Sequence, residues 1–196
     1  MIYERVNLAE IVLNKHELAA RLSSGPDADV ADVDEYILKI KEAAKPAYVA
    51  EFVTLRKENN GIYVGDLFTA SRGFAKAADG YDSCVLLVVT LGLEVDKLLM
   101  RTSVSSAISA FIFNAVADAY VESLCAYARS KLTRDMASAP GFAPGYSDLE
   151  LSFGEKIVRK IGADKALGIK FTDSGFMIPR KSISTIVCVS APGGEK

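Results

Sequence analysis

Apolar and polar positions change period several times along the chain, and each change marks an element. "IYERVN" alternates and predicts a short strand. Asn7 with Glu10 has the form of a capping box ahead of "LAEIVLNKHELAARL", which predicts a helix to about Leu22. After the loop "SSGPDAD", Val33, Ile37, Ile40 and Ala44 recur at helical spacing until Pro46 stops them, giving a second helix over 32–45. "AYVAEFVTLRKE", the turn residues "NNG" and "IYVGDLFT" are rich in β-branched and aromatic side chains and read as a hairpin. A short helix over about 71–78 precedes "DSCVLLVVTLG", a continuous apolar run that fits a strand buried on both faces and ends on a glycine. "LEVDKLLMRT" starts a helix from that strand's end.

From Ser103 to about Leu132 the chain runs without Gly or Pro, and its apolar residues predict the central helix of the molecule. "GFAPGYSDLE" follows as a loop, and Ser152 with Glu155 repeats the capping-box form ahead of "KIVRKIGADKAL". "IKFTDSGFMIP" and "KSISTIVCVS" read as a strand, a turn around Ser174 and Gly175, and a closing strand, with a frayed "APGGEK" end. No internal repeat is visible.

Length and composition narrow the classes. At 196 residues and 50% hydrophobic, the chain suits one domain, or one domain with a helical lobe, around a sizeable core. A formal net charge of -2, without a Lys/Arg run, gives no basic field for nucleic acid. The longest apolar run, Val85 to Val89, is too short to span a bilayer, and "MIYERVNLAE" lacks the apolar core of a secretion signal, so a cytoplasmic protein without a membrane partner is expected. Cys84, Cys125 and Cys188 lie far apart and, with the single His16, make no zinc or iron–sulfur spacing. Free buried thiols and no metal site from this chain alone are the expectation.

Two features carry candidate chemistry. Asn114, Asp118 and Glu122 follow one another at intervals of four and share one side of the central helix, with Arg129 seven residues on. They form either a solvated stripe or the wall of a site, where two carboxylates accept hydrogen bonds from a ligand's hydroxyls or amines. The loop has the same two readings. Pro140 and Pro144 stiffen it and Gly141 and Gly145 admit close approach, so it either binds a ligand or packs Phe142 and Tyr146 onto the core. No Ser/His or Cys/His set indicates a nucleophile, and no catalytic residue is assigned.

The order "CVLLVVTLGLEVDKLL", "NAVADAYVESLCAYARSKL", "APGYSDLELS", "IKFTDSGFMIPRKSIS" resembles the activation domain of cobalamin (vitamin B12)-dependent methionine synthase, in particular its stand-alone relatives. The resemblance spans about residues 45–190, beyond an N-terminal segment 1–45. Its most specific parts are Thr-Leu-Gly at 90–92, Pro-Gly-Tyr at 144–146 and "TDSGFMIPRKSIS". It implies an α+β fold with a mainly antiparallel twisted sheet, flanked by helices that include one long central helix, and it implies binding of S-adenosylmethionine. In the family this domain brings the methyl donor to a cobalamin that has drifted to its inactive cob(II)alamin form, while a reduced flavodoxin-type protein gives the electron.

The resemblance assigns cofactor-binding roles to the backbone of Ala143 and Gly145, to Tyr146 beside the ligand, and to the acidic side chain of Asp118 on the long helix, where the polar stripe adds Glu122 as a cofactor-binding candidate. The family's Arg-x-x-Pro-Gly-Tyr begins here with Gly141, which supplies no side-chain charge. The chain is also too short for homocysteine, folate and cobalamin modules, and it has no Asp-x-His-x-x-Gly. The family role therefore requires a corrinoid-binding protein or methionine synthase acting in trans. Three readings stand: a reactivation component of a methionine synthase or corrinoid methyltransferase, a docking module that has lost the donor site, and a groove that takes another small ligand.

Overall fold

The structure is a computed structural model describing residues 1–23, 25 and 30–190. Most of the loop expected at 23–29 and the chain end at 191–196 lie outside the described residues. The chain starts with β1 (Ile2–Arg5) and a 3-10 turn at Leu8–Glu10, followed by α1 (Lys15–Leu22) and α2 (Val30–Ala43). The first helix thus begins later than the Asn7–Glu10 pattern predicts. Asn7 caps a single turn by accepting from Ala9 N at 3.0 Å, and the backbone is extended again at Ile11 (φ -89°, ψ 111°). The side chains of Leu8 and Ile11 turn into the core there. Asn14 is the working cap: its Oδ1 accepts from Glu17 N at 3.1 Å, and its own N–H donates to Ser123 Oγ at 3.1 Å.

The hairpin forms as expected from β2 (Ala47–Glu58) and β3 (Gly61–Val64), with a short β4 (Leu67–Thr69) after it. Then come α3 (Arg72–Ala77), β5 (Ser83–Thr90), α4 (Leu93–Ser105) and α5 (Ala107–Leu132). The last third holds β6 (Ala137–Ser138), α6 (Phe153–Lys160), α7 (Ala163–Ala166), the small hairpin of β7 (Lys170–Phe171) and β8 (Met177–Ile178), and β9 (Ser182–Ser190). The main sheet runs β4-β3-β2-β5-β9-β6, all pairings antiparallel. One edge of β2 is shared: β1 pairs with Ala47–Ala50 and β3 with Leu55–Glu58. The fold is α+β, with a mainly antiparallel sheet flanked by helices and one long helix, as expected.

Both faces of the sheet are covered, which is why β5 reads as an unbroken apolar run. Tyr48, Val85, Leu87, Val89 and Val187 pack with residues of α1, α2, α4 and α5, while Val49, Leu86, Val88 and Ile186 pack with Phe74, Phe153, Ile157 and Val158 of α3 and α6. By length and composition α5 could cross a membrane; in this fold it is the core helix, burying Ile112, Phe113, Val116, Tyr120 and Leu124 against the sheet side. It starts at 107 because Ser106 breaks the run (φ -159°, ψ 129°) and caps it, accepting from Ser109 N at 3.2 Å. Ser152 and Glu155 form no capping box. Ser152 is already helical (φ -58°, ψ -21°) and its hydroxyl donates to Glu150 Oε2 at 3.0 Å. All three cysteines are free; Cys84 and Cys188 are buried opposite each other across β5 and β9, and burial pushes the Cys188 thiol up to about 11.

A sheet loaded on both faces should be equally sensitive on both. Leu86→Ala and Leu87→Ala remove neighbouring, fully buried side chains that point to opposite faces. Each is expected to lower the unfolding free energy by about 2–5 kcal/mol in urea denaturation, with exposed Leu38→Ala changing it by less than about 0.5 kcal/mol. A near-neutral result at either strand position would show that its helical layer does not carry load.

Candidate functional site

The Pro-Gly loop begins as an edge extension of β9. Ala139 N donates to Cys188 O at 2.9 Å, and Phe142 and Ile186 exchange backbone hydrogen bonds of 2.8 and 3.0 Å. Ser138 pairs with Val189 and Phe142 with Ile186, so four steps of the loop strand match three of β9. The extra residue falls at Pro140-Gly141, where proline has no N–H for a ladder. A Cβ on Gly141 would lie 2.8 Å from Thr185 Oγ1, so the loop runs flush against β9 at this point. The Phe142 side chain turns inward and stacks edge-on with Phe74, 5.5 Å between centroids, and with Tyr146 at 5.3 Å.

Beyond Phe142 the chain folds into compact turns. Tyr146 N donates to Ala143 O at 3.1 Å and Gly145 N to Leu149 O at 2.8 Å, with Gly145 at φ 88°. That left-handed conformation is the one glycine adopts without cost. Asp148 anchors the far side of the loop: it accepts from Ser71 Oγ at 2.5 Å, Arg72 N at 2.8 Å and Gly73 N at 3.0 Å, capping α3 from outside. The Ser71 hydroxyl, followed by these backbone donors, holds its carboxyl down at about 2.

The loop, the β7–β8 hairpin and the start of β9 enclose a groove of about 640 Å³. The loop and the residues after it line it with Ala143, Pro144 and Leu151, the hairpin with Phe171, Phe176 and Met177, and the chain entering β9 with Arg180, Lys181, Ser182, Ile183 and Ser184. Arg180 N donates to Asp96 Oδ2 at 2.6 Å, and Lys181 O accepts from Leu91 N at 2.9 Å, so the backbone under both cations is held by α4 and by the residue that follows β5. Lys181 is only 5% exposed. Its Nζ donates to Asn114 Oδ1 and Asp118 Oδ1, both at 2.6 Å, and Asn114 Nδ2 donates to Asp118 Oδ2 at 2.9 Å.

The five residues expected at a site are therefore distributed as follows. Ala143 lines the groove, and Gly145 stands behind Leu151, one of its lining residues. Tyr146 is 67% exposed and is not among the residues that line the groove. Asp118 does not line the groove; it holds the ammonium of Lys181, which does line it. Glu122 pairs with Arg21 at 2.5 Å and lines a second groove of about 780 Å³ between α5 and the N-terminal segment, together with Glu10, Glu17, Lys131 and Arg134. That groove is larger, but charges of both signs are mixed along it. The smaller groove has two cations and no carboxylate in its lining, and it joins the loop to the hairpin. Sequence reasoning missed Asp96 and the groove role of Phe171 and Phe176; a lone Asp in "LEVDKLL" and two scattered phenylalanines carry no spacing signal. His16 is exposed on α1, and among the described residues no group of three or more His, Cys, Asp or Glu is placed to hold a metal.

No protein-family model and no curated protein sequence matches this chain. Among solved structures it is similar to the crystal structure of the MetH reactivation domain bound to AdoHcy, with a TM-score of 0.70 at 15% identity, covering 100% of this chain and 79% of that one. The two chains share a fold.

Asp148 gives the loop a pH-dependent anchor. Its carboxyl is depressed from 3.8 to about 2 on folding, so its contribution is full above about pH 4 and disappears as pH falls through about 2. In paired urea titrations Asp148→Asn should be less stable than wild type by a constant margin at neutral pH, and the margin should close between about pH 4 and 2. A margin independent of pH over that interval would assign the effect to lost shape and not to charge.

Proposed function

We propose that this chain is a reactivation component that binds S-adenosylmethionine in the groove beside the Pro-Gly loop and presents it to a corrinoid held by a protein acting in trans. The observation that carries the reading is convergence. Two separate segments of the chain, around 143–154 and 171–184, meet around one groove, and they include two of the stretches on which the resemblance rests. A fold shared over the whole chain with a reactivation domain whose structure holds AdoHcy supports it. The residues present suit such a ligand: a volume of about 640 Å³ lies in the usual range for small-molecule sites, with apolar walls and a few convergent polar groups.

In this reading the ligand supplies a methyl group already activated on a sulfonium. The chain's part is to hold and orient it, which is catalysis by proximity and needs no acid, base or nucleophile from the protein. Ala143 and Gly145 offer backbone at the rim, Tyr146 flanks the outer edge, and Asp118 braces the end of the groove from α5, with Glu122 further along the same helix. The corrinoid belongs to a methionine synthase or methyltransferase partner in the cytoplasm, and the electron to a flavodoxin-like donor.

Gly141 favours a second reading. A side chain there meets Thr185 at 2.8 Å, so the loop has no room at that point for an arginine without moving β9's side chains. A docking module of a corrinoid protein system, without the donor site, has no need of one.

Calorimetric titration with S-adenosylmethionine and S-adenosylhomocysteine separates the two. Saturable binding at micromolar Kd or tighter, about 8 kcal/mol, is expected for the first. Absence of heat up to millimolar ligand, with retained capture of a corrinoid methyltransferase, would leave the second. Tyr146→Ala should weaken S-adenosylmethionine about 3- to 10-fold while leaving the unfolding midpoint in place, because the ring is exposed. Unchanged affinity on folded protein would make Tyr146 a packing residue.

A further inference from the structure

The lining of the groove has a charge pattern that the methyl-donor reading does not explain. Its lining contains Arg180 and Lys181 and no Asp or Glu, while Thr172, Ser174, Ser182 and Ser184 add hydroxyls. Such a lining is matched to the anionic group of a ligand. Lys181 is the unusual member. A lysine 5% exposed carries a desolvation cost that only close partners offset, and two of its three ammonium hydrogens have them in Asn114 and Asp118. Among the described residues the third has no acceptor.

We infer that Lys181 is the residue that selects for a carboxylate on the groove's ligand, donating its remaining N–H to that group while Asn114 and Asp118 hold the ammonium in place. The inference rests on the reading of this groove as an adenosyl-ligand site and adds which end of the ligand is recognised, and by what. Three features make the donor preorganised. Its backbone is fixed to Leu91, the preceding residue is pinned by Asp96, and its ammonium is locked between two side chains on α5. A charge-assisted hydrogen bond at such a site is worth about a tenfold or larger change in affinity. Arg180 is exposed in the same lining and adds long-range attraction, which salt screens more strongly than the buried contact.

The test pairs two thioether probes without a sulfonium: S-adenosylhomocysteine, which carries the amino-acid carboxylate and ammonium, and 5′-methylthioadenosine, which carries neither. A Lys181 effect confined to the first reads the carboxylate, because an ammonium of the protein does not donate to an ammonium of the ligand. Wild type should bind the first at least about tenfold tighter. Lys181→Met should lose at least about tenfold for S-adenosylhomocysteine and leave 5′-methylthioadenosine within about threefold, and Lys181→Arg should retain most of the preference. Equal wild-type affinity for both probes overturns the inference and leaves the adenosyl site intact. A Lys181→Met variant that binds S-adenosylhomocysteine like wild type does the same. Failure of wild type to bind either probe overturns both. Because Lys181→Met leaves Asn114 and Asp118 without their cation and can itself unfold, the wild-type probe ratio and the Lys181→Arg variant decide the matter if it does.

Discussion

The structure depends on one constraint: β5 has no solvent-facing side. Val85, Leu87 and Val89 point to one layer of helices and Leu86 and Val88 to the other, all fully or almost fully buried. A strand of this kind stabilises the molecule only if both layers are present, at about 25 cal/mol per Å² of apolar surface removed from water. The consequence is felt at the neighbouring strand. β9 lies along one edge of β5, and among the described residues its own outer edge meets the two residues of β6 and the backbone of Ala139 and Phe142. Pro140 ends the regular ladder, and among the described residues no strand pairs with Ser182–Ser184 on that side. A sheet edge that must be covered by something other than a strand is where a loop, a hairpin and a groove can form.

Electrostatics then grades the site from inside to outside. Lys181, Asp118, Arg21 and Glu122 alternate in sign from the groove end across α5 to α1. These contacts are unequal. The Arg21–Glu122 end is partly exposed and is screened by salt, so it contributes little to stability. The Lys181 end is shielded, its partners are at 2.6 Å, and the low local dielectric makes both the pairing and its loss expensive. One chain of charges thus serves as a rigid brace at the groove and as a soluble surface at the other end.

Much of this was legible in the sequence, and for identifiable reasons. The apolar run at 84–89, the hairpin around "NNG" and the long helix ending at Leu132 follow from period and turn chemistry, which tertiary contacts reinforce. The helix starts were misread where a side chain had a better partner than the cap it could have made. Asn7 spends its carboxamide on one turn while Ile11 is drawn into the core, and Ser152 gives its hydroxyl to Glu150. The spacing of Asn114 and Asp118 marked one helix face, but not the lysine that occupies it, since Lys181 is 63 residues beyond Asp118. Long-range pairing leaves no local pattern to read.

The loop that first draws the eye turns out to divide its duties by residue. Phe142 and Asp148 look inward, one into the core beside Phe74 and the other onto the start of α3, and they fix where the loop lies. Ala143 and Pro144 face the groove and carry no charge. With Gly141 pressed against Thr185, the loop has no place for a cation on its inner side. The positive groups of the groove instead stand on the segment between the hairpin and β9, whose backbone is tied to Asp96 and Leu91. Shape is thereby assigned to the loop and charge to the sheet edge, so either can change without dismantling the other.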